Sequence, residues 1–174
     1  MVAEDLANIV WPLAFRDYPL CPGTVPSDRT PIIEAATYWR VAGEDLLPKP
    51  APHIAPGYML AGKLAFLETN SQPTVRFEHP TPLGPLTIDA TSTLFVDWGA
   101  GGSLDGPHGG PGGPWPDGEI THYWTDARTY YIRVEQRWTA TWRLAGDGGT
   151  LAGLTTEGLL PDFEVRQLQA VRNR

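Results

Sequence analysis

Alternation of apolar and polar residues dominates the second half of the chain. From Arg128 to Leu144 the even positions are Arg128, Tyr130, Ile132, Val134, Gln136, Trp138, Ala140, Trp142 and Leu144, seven of them apolar. The odd positions, Thr129 to Arg143, are nearly all polar. That period of two predicts a strand with one buried and one wet face. Seventeen residues would reach roughly 55 Å, several times an ordinary strand, so a bend or bulge is expected within it. Weaker alternation predicts further strands over 58–68, 74–79, 85–98, 119–125 and 162–171, the last carried by Phe163-Glu164-Val165-Arg166.

Before Tyr58 the pattern is different. Nine of the eighteen prolines fall within residues 1–57, which disfavours regular sheet there. One segment inside it reads as helix. Thr30 stands at a capping position and Pro31 at the first helical position, and Ile32, Ala35, Ala36 and Trp39 follow at helical spacing. A short helix over about 31–42 is predicted, ending at Gly43. The run Leu47-Pro48-Lys49-Pro50-Ala51-Pro52-His53-Ile54-Ala55-Pro56 must then be extended, because proline at alternate positions forbids helix and ladder bonding alike. The expected organisation is a Pro-rich arm over 1–57 and an all-β body over 58–174. Strands separated by turns without intervening helices imply a sandwich.

The flanks of the Gly- and Pro-dense stretch 99–118 carry the clearest motifs. Before it stands Asp97-Trp98-Gly99-Ala100-Gly101, and after it His122-Tyr123-Trp124 and Thr129-Tyr130. These resemble the two halves of the signature of the PKD domain, an immunoglobulin-like β-sandwich. In that signature an aromatic strand ends in D-F-G-D-G, and H-x-Y precedes G-T-Y at the opening of a long strand. Asp97, Trp98, Gly99, Gly101, His122, Trp124 and Tyr130 match. Trp124 stands for a tyrosine, Ala100 for the second aspartate and Arg128 for a glycine. The span from about Ala35 onward also resembles a set of uncharacterised exported proteins of high-GC Gram-positive bacteria, through Leu47–Pro56, Trp138–Trp142 and Val165–Val171. The resemblance implies that 99–118 is a loop within one sandwich. It also implies an extracellular or cell-surface setting and a leader absent from this chain.

The motif residues themselves suggest structural work. Asp97 can accept backbone N–H bonds across a turn in which Gly99 and Gly101 take positive φ. His122 beside aromatics reads as a half-buried histidine, Tyr130 as a corner tyrosine, and Trp138 and Trp142 as core.

Composition narrows the chemistry. A net charge of −7, with two lysines against eleven arginines, argues against nucleic acid as a partner. No run of about 18 apolar residues appears, so no membrane-inserted helix is predicted. Cys21 is the single cysteine, which excludes an internal disulfide and a thiolate metal cluster, and its surroundings lack a lipidation pattern. The four histidines have no ligand spacing. Asp97, Asp105 and Asp117 around the loop could meet a calcium ion, but they form no D-x-D-x-D-G pattern, so no metal and no cofactor is expected. There is no G-x-S-x-G, and Pro111 and Pro114 remove donors that a phosphate cradle would need.

Recognition remains. Trp115, between two prolines, reads either as a presented aromatic that docks on a protein or glycan, or as a cap folded onto the sandwich end. The favoured function is a non-enzymatic interaction or structural module, with a protein partner or self-assembly. The competing function is an extracellular polysaccharide-active enzyme or carbohydrate-binding module, using paired acids beside aromatics.

Overall fold

The computed structural model describes residues 29–168. Cys21, the first half of the arm and the chain end beyond Leu168 lie outside them.

Helix α1 spans Pro31–Leu46. Pro31 occupies its first turn, and the Glu34 N–H donates to Thr30 O at 3.1 Å. The helix does not stop at Gly43; it continues for another turn and closes with the Leu47 N–H on Gly43 O at 3.0 Å. Glycine stands there for contact. A Cβ at Gly43 would fall on the tip of the Leu154 side chain, which would have to turn aside, so the glycine marks where the helix touches β8.

The strands are β1 Tyr58–Leu60, β2 Ala65–Phe66, β3 Thr74–Thr81, β4 Gly84–Asp97, β5 Asp105–His108, β6 Thr121–His122, β7 Thr129–Leu144 and β8 Asp147–Arg166. The protein is therefore mostly β, with one helix among the described residues. Six strands form a curled mixed sheet ordered β1-β8-β7-β4-β3, with β5 on the edge of β4, and β2 pairs with β6 separately. All pairings in the large sheet are antiparallel except β1 with β8.

Strand β7 alternates buried and exposed along its whole length. The bulges expected in it sit on its partner instead. Between Ile132 and Tyr130, and again between Trp138 and Thr139, β8 carries the extra residue, near Asp162 (φ 55°) and at Gly153 (φ 90°). Each bulge shifts the inward-facing parity of β8 by one. This explains why a 20-residue strand was legible only in its last stretch: two phase shifts and four glycines erase the period of two from Asp147 to Asp162.

One face of the sheet is buried, in two clusters along β7. Tyr130, Ile132 and Val134 join Leu94, Val96, Trp98, Ile120, Trp124, Phe163 and Val165. Trp138, Ala140, Trp142 and Leu144 join Leu86, Ile88, Ala90 and, from the helix and its exit, Ala35, Trp39 and Leu47. A polar seam separates them. Buried Gln136 donates from Nε2 to Gln72 O at 2.8 Å and to Ser92 Oγ at 2.7 Å. Beside it, Trp138 Nε1 donates to Thr156 Oγ1 at 3.0 Å, and that hydroxyl donates to Pro48 O at 2.9 Å.

The proline strap crosses the sheet at this seam and then, contrary to the expectation that its prolines exclude ladder bonding, pairs as a ribbon through the N–H groups of the residues between them. Ala51 N–H donates to Thr69 O and His53 N–H to Glu68 O, both at 2.7 Å. Residues 65–69 are bonded on their other side by the glycine stretch, with Gly113 N–H on Leu67 O at 3.1 Å and Thr69 N–H on Pro111 O at 2.9 Å. Gly112 (φ 72°) permits this approach, since a Cβ there would meet Leu67 O. The stretch 99–118 is thus pinned twice, once by β5 on the sheet edge and once by 111–113 on this ribbon. Its two flanks, at Trp98 and Trp124, enter one hydrophobic cluster.

Candidate functional site

The motif residues of 97–101 and 122–130 meet at the loop-covered end of the sheet. Where β4 ends, Asp97 Oδ1 accepts the Gly99 N–H at 2.9 Å and closes a tight turn. Gly99 and Gly101 take φ of 69° and 77° in it. The turn aims Trp98 into the cluster. Its Nε1 donates to Asp105 Oδ2 at 3.0 Å, tying β4 to β5 across the sheet edge. His122, placed by β6, stacks on the Trp98 ring at 4.6 Å with planes 9° apart.

Trp124 completes the box. It meets Trp98 and His122 edge-on at 5.7 and 4.7 Å, and tilts against Tyr130 and Phe163 at 5.4 and 5.3 Å. Its Nε1 donates to Trp98 O at 3.3 Å. Tyr130 Oη donates to Asp126 O at 3.0 Å, holding the turn that leads into β7. Each aromatic pair in such a geometry adds about 0.5–1.5 kcal/mol beyond the area it buries. The box is a rigid mount for the segments that leave it.

Burial holds the His122 imidazole below its ordinary pKa, partly offset by the attraction of Asp105. Asp105 also faces His108, with Oδ1 3.5 Å from Nε2. That nitrogen makes no hydrogen bond, so the contact is an ion pair only when His108 is protonated. Sequence reading did not bring Asp105 and His108 into this cluster as structural partners. They belong to a four-residue strand inside a stretch read as loop, too short and too glycine-rich to show a period.

Two of the three acids around the loop are employed in bonds of their own: Asp97 in its turn and Asp105 on the Trp98 indole. Among the described residues no group of three or more His, Cys, Asp or Glu could hold a metal ion. The acid pair that polysaccharide chemistry would call for does occur as cross-strand neighbours, Glu135 opposite Glu157. They lie on the wet face of the sheet, and Arg133 spans them at 3.0 and 3.5 Å. Arg137 bonds Glu135 at 2.8 Å and covers the Phe95 ring at 4.1 Å. This arrangement is an ion-pair network on an open sheet face.

Trp115 is 76% exposed. It does not fold back as a cap. The turn that carries it is closed by Gly118 N–H on Pro114 O at 3.0 Å, one residue beyond the point where Gly113 is bonded to Leu67. Tyr123, 61% exposed, and Leu64 extend the β2–β6 register by one position and also face solvent. No described helix is long and apolar enough to cross a membrane.

In comparisons with family models, with curated proteins and with solved structures, nothing matched this chain.

Proposed function

We propose that the chain is a non-enzymatic contact module of the PKD-like, immunoglobulin-like kind, working at the cell surface or in an extracellular assembly, with Trp115 as its principal partner contact. The observation that carries this reading is the exposure of Trp115 on a loop whose two sides are bonded to the fold. A large aromatic on backbone that is already bonded to the fold loses little backbone entropy on docking, and tryptophan is enriched in binding hot spots. Tyr123 and Leu64, exposed at one end of the β2–β6 pair, supply further apolar area. A protein surface is the favoured partner, and sugar rings, which stack on indoles, are the second.

Support for the sandwich reading comes from the ribbon 51–53, 65–69 and 111–113. It lies over the buried face of the large sheet through Ile54, Ala65 and Leu67, as the second sheet of a sandwich does. The Asp97–Gly101 turn and the His122–Trp124–Tyr130 group occupy one corner, in keeping with the PKD-like signature. The exported setting rests on the resemblance alone.

Trp115→Ala is the test. The variant should keep its unfolding temperature within about 1–2 °C, since an exposed side chain contributes little to stability. It should also lose at least tenfold in affinity for whatever copurifies with the wild-type chain from its native source. Equal retention of that partner by the variant, or a drop of many degrees with binding intact, overturns the assignment of Trp115.

A further inference from the structure

The two edges of the large sheet are treated differently. At one, β8 is met by β1 near its end and by the strap where Pro50 O closes on Gly158. Helix α1 also reaches it, with Trp39 Nε1 on Ala152 O at 3.4 Å. At the other edge β3 ends the sheet, and no described strand pairs with its outer side. The direction of its backbone groups follows from one bond. Ser92 N–H donates to Pro73 O at 2.9 Å, and the β3–β4 register runs unbroken from Thr74 opposite Thr91 to Thr81 opposite Gly84. Antiparallel bonding alternates, so Val75, Phe77 and His79 turn their backbone groups to β4. Thr74, Arg76, Glu78 and Pro80 turn theirs outward, and among the described residues no backbone bond reaches them. The side chains divide between the faces. Val75 and Phe77 are half-buried against the cluster that α1 covers, while Arg76 and Glu78 stand on the wet face, more than half exposed.

Charges and a proline on an edge keep other strands from pairing with it. This edge admits one pattern, its own sequence run backwards. A two-fold axis through Phe77, perpendicular to the sheet, sets β3 of a second copy antiparallel alongside. Residues equally far from Phe77 in opposite directions then stand directly opposite each other, on the same face. Arg76 faces Glu78 of the second copy, and Glu78 faces its Arg76. Both carry outward backbone groups, so each opposed pair exchanges two N–H···O bonds. Thr74 N–H reaches Pro80 O of the second copy, and there the missing N–H of proline ends the ladder. On the core face the two Phe77 side chains meet at a non-hydrogen-bonded position, where side chains approach most closely. An axis at Arg76 or Glu78 sets that charge against itself, and an axis between residues pairs outward groups with inward ones. Only the axis at Phe77 sets each arginine opposite a glutamate. Within its own chain Arg76 reaches Glu78 through Nε and Asp89 through Nη1, both at 3.2 Å. These exposed bonds use two of five guanidinium donors, so a further carboxylate can join them. The four charges then alternate in sign around the axis and set the register, while the backbone bonds and Phe77 supply the attraction.

We propose that β3 is a homodimer interface, at which two copies of this chain join edge to edge across a two-fold axis at Phe77 and form one continuous sheet. The contact is isologous and closes on itself, since each copy uses its free edge once. It does not rest on what Trp115 binds.

The test uses the full chain. Sedimentation at increasing concentration should show a shift from monomer to twice the chain mass. Arg76→Glu alone and Glu78→Arg alone should each raise the dimer dissociation constant about tenfold or more, because like charges then stand opposite each other. Mixed in equal amounts, the two variants should pair with one another and recover wild-type affinity, because every opposed pair is again of unlike sign. Glu78→Pro should abolish dimerisation and keep the unfolding temperature of the monomer within about 2 °C, since the N–H it removes points away from β4. In a Cys21→Ser background, Phe77→Cys should form a disulfide-linked dimer under mild oxidation, while Thr74→Cys, which faces Pro80 across the axis, should not. A chain that stays monomeric up to millimolar concentration overturns the proposal, as does growth into open filaments. So does a dimer indifferent to Arg76→Glu or to Glu78→Pro, a mixture of the charge variants that fails to associate, or Thr74→Cys linking as fast as Phe77→Cys.

Discussion

One sheet face is covered in two ways, and the contrast explains how this chain is built. At one end a helix lies on Leu86, Ile88, Trp138, Ala140 and Trp142, and the cover is aliphatic and tryptophan surface laid down by a regular element. At the other end no helix of the described residues takes part. There, irregular backbone covers Val96, Ile132 and Val134, and aromatic rings with hydrogen-bonded edges fill the gaps: Trp98 on Asp105, Trp124 on Trp98 O, Tyr130 on Asp126 O. A helix satisfies its own backbone and needs only an apolar stripe to dock. A loop cover must find a partner for each buried polar group, so it uses side chains that are apolar in the body and polar at the tip.

The sharpest way to break this comparison is to remove the keystone of the loop-covered end. Trp124→Ala should cost about 3–5 kcal/mol, measured by denaturant unfolding, because a nearly fully buried indole with four ring partners leaves a large cavity. Amide shifts should move throughout 97–125 and little around α1. Equal perturbation at the helix would show that the two clusters are a single cooperative unit.

A smaller effect sharpens the seam between the ends. Thr156→Val keeps the shape but leaves Trp138 Nε1 and Pro48 O without their partner. The expected loss is about 1–3 kcal/mol by the same measurement, with faster hydrogen exchange along the strap. No change would mean that the strap is held by Ile54 and its ribbon alone.

The smallest effect is a pH response confined to the loop-covered end. Because burial lowers the folded-state pKa of His122 below 6.5, the unfolded chain binds more protons in that window. The contribution of His122 is therefore fully present above pH 6.5 and is lost as pH falls through the lowered value. His122→Phe, which keeps the stack on Trp98, should remove that part of the slope between neutral and mildly acidic pH. An unchanged slope would assign it to another group.

Legibility followed regularity. Strand β7 could be read almost to the residue because a strand bonded on both sides and buried on one face must alternate. The start of α1 was readable from Thr30 and Pro31, but its end was not: Gly43 signals a stop locally, and only the nearby Leu154 side chain makes it a point of contact. Strand β8 was hidden because its bulges reset the period and its Gly158 stands in for the close approach of Pro50 O. Asp105 stood out only as one acid of the loop, and its bond to Trp98 and contact with His108 were invisible, since a four-residue strand between glycines has no pattern to find.

By itself, then, the order of residues determined what each segment could bond to nearby: alternation along β7, extension of the proline strap, the turn at Asp97 and Gly99. Which faces met, which end of the sheet received the helix, and that Trp98 and His122 would stack across 23 intervening residues were decided only in three dimensions. Periodicity is a local property set by backbone geometry, whereas burial depends on partners distant in sequence. No single segment records what will cover it.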